Sequence, residues 1–229
     1  MSIKLYNFAF GPYPQRLNIY LAEKNPANVE CIIFDEPNKQ SDVPPASVKQ
    51  LTPTGSLPIL QDDDGTVIGQ SLAILEYLED KISGPSYLGA TPAARARTRQ
   101  LVHMFDEAMT FFGLWARHGS RLGYGIVQTS QEVAQICAAR YFGQLRLIDQ
   151  MASESEFITG DTVTLADCVG MATLQYAIDF YEVPIPDDCA RLSRWFSSFS
   201  KRPSAASPAY PEGKRTKARG LMAQTQITL

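Results

Sequence analysis

The stretch from Thr52 to Leu78 constrains this chain more than any other. It runs Thr-Pro-Thr-Gly-Ser-Leu-Pro-Ile-Leu from Thr52, Gln-Asp-Asp-Asp-Gly-Thr-Val-Ile-Gly from Gln61, and Gln-Ser-Leu-Ala-Ile-Leu-Glu-Tyr-Leu from Gln70. Pro53 and Gly55 punctuate the entry. Pro58 interrupts an apolar run, and a proline cannot donate to a strand ladder, so it belongs at a strand start or an edge. Just ahead of a strand, in a tight turn, it is also a candidate for a cis peptide bond. Asp64-Gly65 divides Ile59-Leu60 from Thr66-Val67-Ile68, which predicts a short hairpin. Gln70-Ser71 then opens a helix, with apolar residues at 72, 74, 75, 77 and 78.

Upstream, Ile3 to Asn7 alternates as a strand. Phe8 to Pro14 reads as a loop, and Gln15 to Lys24 as a helix that Asn25-Pro26 stops. Val29 to Phe34 is a second strand. The proline-rich stretch after it reads as a loop with a short helix near Pro45 to Leu51. The resulting order, strand, helix, strand, short helix, hairpin, helix, is that of a thioredoxin-like α/β domain over residues 1–83. Ser83 to Thr91 has linker composition, so the boundaries are 1–83, a linker at 84–91, and a second domain at 92–229. After Pro92 no stretch reads as a strand. Ala93 to Gly119 carries apolar residues three and four apart, and Gln131 to Met151 repeats the pattern. Thr164 and Asp167 have the spacing of a capping box, so Asp167 is read as structural. Cys168 to Tyr181 is apolar nearly all round and reads as the central helix. Leu192 to Lys201 is another helix. The tail from residue 205, with Lys214, Arg215, Lys217 and Arg219, is expected to be solvated or to wrap the surface.

Composition narrows the function classes. The hydrophobic fraction is 45%, the charged fraction 20%, and the net charge −3, which gives no nucleic-acid footprint. No apolar run approaches the length of a membrane span, and the N-terminus reads as a strand and not as a signal peptide. Cys31, Cys137, Cys168 and Cys189 are scattered and form no Cys-x-x-Cys. With only His103 and His118 as imidazoles, neither a metal site nor a dithiol pair is expected. A reducing, cytoplasmic compartment suits such cysteines. Residues 1–83 carry 6 basic and 11 acidic side chains, and residues 84–229 carry 15 and 13.

Thr-Gly-Ser-Leu-Pro-Ile-Leu, the hairpin, and Gln-Ser-Leu-Ala-Ile-Leu-Glu-Tyr-Leu together resemble the glutathione-binding segment of the glutathione transferase superfamily. Thr-Leu-Ala-Asp at 164–167 resembles the start of that family's buried helix. The resemblance implies a thioredoxin-like first domain and an all-helical second one. It implies that Leu57, ahead of a cis Pro58, offers its main chain to the cysteinyl part of glutathione, and that Gln70 and Ser71 hold the γ-glutamyl end. An extended peptide can add to a strand edge, and a carboxylate suits a helix N-terminus. Many relatives carry a serine where this chain has Gly11, which leaves the phenol of Tyr13 as the best side-chain donor to the sulfur. Tyr13 as a rim residue without a donor role is the alternative, and its main-chain N–H alone is a third device. Ser56 stands where relatives reach the glycyl carboxylate, with Lys39 or Gln40 as substitutes. Phe10, Met109, Phe112 and Trp115 are expected to wall a pocket for an apolar electrophile; plain core is the other reading of that stripe.

The reading that follows is a cytoplasmic, homodimeric transferase. It would add the glutathione thiolate to a small apolar electrophile, with glutathione as co-substrate, no metal, and neither nucleic acid nor membrane as partner. Two alternatives stand beside it. One is a glutathione-dependent disulfide reductase or peroxidase. The other is a non-catalytic protein that binds glutathione or another ligand.

Overall fold

The computed structural model describes residues 2–34, 46–125 and 127–228. These divide into two compact units, residues 1–86 and 87–229. The first is built on a four-stranded sheet in the order β2-β1-β3-β4. β1 (Ile3–Phe8), α1 (Pro12–Lys24) and β2 (Val29–Phe34) form a parallel crossover unit, and β1 pairs with β2 from Ile3↔Val29 to Phe8↔Phe34. A single turn, α2 (Ala46–Lys49), precedes the hairpin of β3 (Ile59–Gln61) and β4 (Val67–Gly69), and α3 (Ser71–Lys81) follows. β3 runs antiparallel to both β1 and β4.

Period-two alternation assigns the two faces of β1. Ile3, Leu5 and Asn7 are buried, whereas Tyr6 and Phe8 join the cluster formed by Phe34, Val48, Leu57 and Ile59. α1 and α3 pack on each other. A buried ion pair pins them: Lys24 meets Glu79 at 2.9 Å, and the Tyr20 hydroxyl donates to Glu79 at 2.8 Å. A second clamp ties α3 to the hairpin. Tyr77 donates its hydroxyl to the Asp62 carboxylate, and Lys81 lies 3.0 Å from the same oxygen. The Tyr77 hydrogen bond, then Lys81, holds the Asp62 carboxyl well below the usual carboxylate range.

Several helix boundaries differ from the sequence expectation, and the start of α1 is the one that bears on the end of the sheet. α1 begins at Pro12 and not at Gln15, so Tyr13 lies in the first helical turn. Proline is tolerated there because first-turn N–H groups have no intrahelical partner. Gly11 precedes it at φ 111°, a conformation side-chain-bearing residues rarely adopt.

The second unit is helical: α4 (Pro92–Gly119), α5 (Gln131–Met151), α6 (Leu165–Gln175), α7 (Ala190–Phe199), α8 (Glu212–Ala218) and α9 (Leu221–Gln224). Every residue of α6 is buried, and a π-helical turn over Tyr176–Phe180 continues it. α6 packs on α4 and α7, and α4 on α5. The Asp167 carboxylate is wholly buried and accepts from the Thr164 N–H and hydroxyl, the Ile158 N–H and the Trp195 indole. It therefore caps α6, anchors the preceding loop and docks α7 at once. Burial pushes its carboxyl upward, and these hydrogen bonds pull against that shift.

The C-terminal segment corrects the expectation of a solvated tail. Ala218, Leu221 and Thr225 are buried. The Trp115 indole donates to the Thr225 hydroxyl at 3.0 Å, and the Gln135 amide donates to the Thr225 carbonyl. The close approach needs Gly119, since a Cβ there would fall 2.2 Å from a Thr225 methyl. Among the described residues no helix is long and apolar enough to cross a membrane.

Candidate functional site

The strand register brings three separate segments to one end of the sheet. β1 ends at Phe8 and runs on to the start of α1. The last pair on its other side is Tyr6↔Ile59, so Leu57 and Pro58 lie beside the end of β1. Ile59 also pairs with Gly69, which sets Gln70 and Ser71 at the same end. The N-termini of α1 and α3 therefore both open where the chain passes through Leu57. Each helix start carries roughly half a positive charge, which suits an anion.

The three segments have unusual backbones. Leu57-Pro58 is the cis peptide bond of the described residues. Both residues are buried, and their main chain lies ahead of the β3 ladder. Gln70 is exposed and holds φ 69° immediately before α3, a region that costs a non-glycine residue roughly 1–3 kcal/mol. Strain at such a position is retained where the backbone must face a particular way. Ser71 is the first residue of α3 and is buried. In α1, prolines occupy positions 12 and 14, so Tyr13 supplies the only main-chain N–H of the first three helical positions. Tyr13 is 42% exposed.

Two further residues organise this end. Arg16 is fully buried on α1 and donates from Nη1 to the Ser71 hydroxyl oxygen at 3.2 Å, joining the two helix starts. Its guanidinium carbon lies 4.9 Å from the centroid of the Tyr13 ring, a cation–π contact. Asn7, also fully buried, donates from Nδ2 to the Pro14 carbonyl at 3.3 Å and to Asn18 Oδ1 at 3.1 Å. It thereby holds the first turn of α1 against the end of β1. Sequence reading passed over both. The signal for Asn7 was its inward place in the Ile3, Leu5, Asn7 alternation; a charged side chain on the core stripe of α1 would have marked Arg16.

Comparison with known proteins agrees with this architecture. Residues 10–81 match the family model described as "Glutathione S-transferase, N-terminal domain", and residues 100–203 match "Glutathione S-transferase, C-terminal domain". The chain belongs to the glutathione transferase superfamily. It is 26% identical over 209 residues to glutathione S-transferase 2 of Saccharomyces cerevisiae, covering 87% of this chain and 86% of that protein. It is 27% identical over 187 residues to a stringent starvation protein A homolog of Coxiella burnetii, covering 82% and 81%. The crystal structure of a glutathione S-transferase domain-containing protein from Marinobacter aquaeolei superposes with a TM-score of 0.76 at 29% identity, over 89% of this chain and 100% of that one.

Within this transferase fold, the residues expected to bind glutathione lie along the end just described: Gly11 and Tyr13 at α1, Ser56, Leu57 and Pro58 ahead of β3, Gln70 and Ser71 at α3. Lys39 and Gln40 lie outside the described residues. The expected electrophile wall needs correction. Phe112 and Trp115 have no exposed surface and Met109 only 2%. Phe112 packs edge-on against Trp115 and Tyr181, and Trp115 against Phe142. A side chain enclosed in this way offers nothing to a ligand, so the stripe is helical core. Phe10 is half-buried. Among the described residues no cluster of three or more His, Cys, Asp or Glu side chains could hold a metal ion.

Proposed function

We propose that the protein is a glutathione transferase: it binds glutathione on its first unit and delivers the thiolate to a small apolar electrophile. The observation that carries this reading is the meeting of two helix N-termini with the cis Leu57-Pro58 segment at one end of the sheet. Leu57 would pair its main chain with the cysteinyl part of the tripeptide, as a strand edge pairs with an extended peptide. Gln70, Ser71 and the α3 N-terminus would hold the γ-glutamyl carboxylate, and Ser56 lies toward the glycyl end. A free thiol has a pKa of about 8.5 and must be shifted to react at neutral pH. Tyr13 would donate its phenol or its N–H to the sulfur, supported by the positive end of α1. A cytoplasmic homodimer completes the proposal.

Gly11 favours a second reading. It brings no hydroxyl to the position, and at φ 111° a serine would be strained there. Glutathione could then be held without a strongly activated thiol, as suits a binding protein or a disulfide reductase that meets its second thiol or disulfide in the pocket. The Coxiella burnetii relative, whose name states no transferase activity, is compatible with that reading.

The deciding measurement is an ultraviolet titration of glutathione bound to the pure protein, following thiolate absorbance against pH. A bound thiol pKa lowered by about two units, equivalent to about 2.7 kcal/mol of anion stabilisation, is the expected result. Tight binding with an unshifted pKa would remove the transferase reading and leave the second one standing.

A further inference from the structure

Arg16 sits behind Ser71, and the chemistry of the two side chains fixes the direction of their hydrogen bond. A guanidinium only donates, whereas a hydroxyl both donates and accepts. The 3.2 Å contact from Arg16 Nη1 therefore occupies a lone pair of Ser71 Oγ and leaves the serine O–H as a donor. Ser71 is also the first residue of α3, where N–H groups point outward without helical partners. Arg16 itself has no exposed surface, so it cannot serve as a contact for a bulky ligand. Its charge stands in a low-dielectric interior, where its field falls off far less than in water.

We propose that Arg16 is a positioning residue that makes the α3 end of the site selective for a carboxylate over a neutral group, by turning the Ser71 hydroxyl outward as a donor and placing a fixed positive charge behind it. The same guanidinium lies over the Tyr13 ring, so one buried cation sets the side chains on both helix starts. The inference rests on the reading that glutathione is the ligand, and it specifies which group of glutathione Arg16 governs: the α-carboxylate of the γ-glutamyl residue, and not the thiol.

The test compares glutathione with its analogue in which that carboxylate is an amide, by calorimetric titration of the unmodified protein, Arg16→Met, Arg16→Lys and Ser71→Ala. The unmodified protein is expected to prefer glutathione by a factor of at least about ten, in line with a charge-assisted hydrogen bond. Arg16→Met should bring that preference close to one, and Arg16→Lys, which keeps the charge but not the reach of the fork, should lower it at least threefold. Ser71→Ala should lower it too, with little further loss in the Arg16→Met, Ser71→Ala double variant. Should Arg16→Met not fold, the Arg16→Lys ratio decides by itself. An Arg16 variant that weakens both ligands equally would make Arg16 a structural residue and overturn the proposal. If the unmodified protein binds no glutathione, the functional reading falls and takes this inference with it; if it binds glutathione and the preference survives in Arg16→Lys, the inference alone falls.

Discussion

Replacing Asp167 by alanine tests how much of the helical unit hangs on one carboxylate. Four donors converge on it: the Ile158 N–H at 2.9 Å, the Thr164 N–H and hydroxyl at 2.9 Å each, and the Trp195 indole at 2.7 Å. The Thr164 hydroxyl can rotate to another acceptor, but the three N–H groups are fixed by their backbones and ring. A buried donor left without a partner costs about 1–3 kcal/mol. Removing the carboxylate also relieves its own desolvation, which burial of Asp167 makes substantial. We therefore take the lower end for each donor and expect a loss of about 3 kcal/mol, a large share of the roughly 5–15 kcal/mol that holds a domain folded. Both tryptophans, Trp115 and Trp195, lie in residues 87–229, so urea unfolding followed by tryptophan fluorescence reports on this unit alone. With a slope of about 2 kcal/mol per molar urea, the midpoint should fall by about 1.5 M. Asp167→Asn, which keeps one acceptor oxygen but turns an NH2 toward donors, should fall between the two. A midpoint shift in Asp167→Ala below about 0.5 M would show that water or rearranged loops satisfy the orphaned donors, and would refute the reasoning.

Three other outcomes are expected. Gly119→Val places a side chain into Thr225 and Leu221, so residues 212–227 should exchange amide hydrogens much faster by mass spectrometry, while glutathione affinity stays within about twofold; unchanged protection would mean that α9 is not seated through this contact. Asp62 titrates well below its ordinary value because of Tyr77 and Lys81. The stability it contributes is therefore present above about pH 4, the ordinary unfolded carboxylate value, and is lost as the pH falls toward the folded one. The stability gap between the unmodified protein and Asp62→Asn should be flat from pH 7 to about 4 and close below that; a gap that closes near pH 6 would assign the titration to another group. Tyr13→Phe should raise the bound glutathione thiol pKa by about one unit with affinity nearly unchanged, and an unmoved pKa would transfer the anion stabilisation to the helix N-terminus.

The sequence by itself determined whatever depends on a few neighbouring residues. Asp64-Gly65 predicted the hairpin, Leu57-Pro58 the cis bond ahead of β3, Asn25-Pro26 the end of α1, and Thr164 with Asp167 the cap of α6; each follows from local backbone sterics or a hydrogen bond spanning three residues. Their order along the chain also implied the two-part fold and the family. Tertiary structure alone decided which side chains meet across long separations. Arg16 reaches Ser71 over 55 residues and Trp115 reaches Thr225 over 110, and no periodicity in either segment encodes the partner. The stripe of Met109, Phe112 and Trp115 illustrates the same limit, since an amphipathic pattern marks a face as apolar without saying whether protein or ligand will cover it. Here protein covers it. The tail showed the converse: its polar, basic composition suggested solvent, yet small Ala218, Leu221 and Thr225 fit a surface that Gly119 leaves open, and packing of that kind depends on shape that exists only once α4 and α5 have assembled.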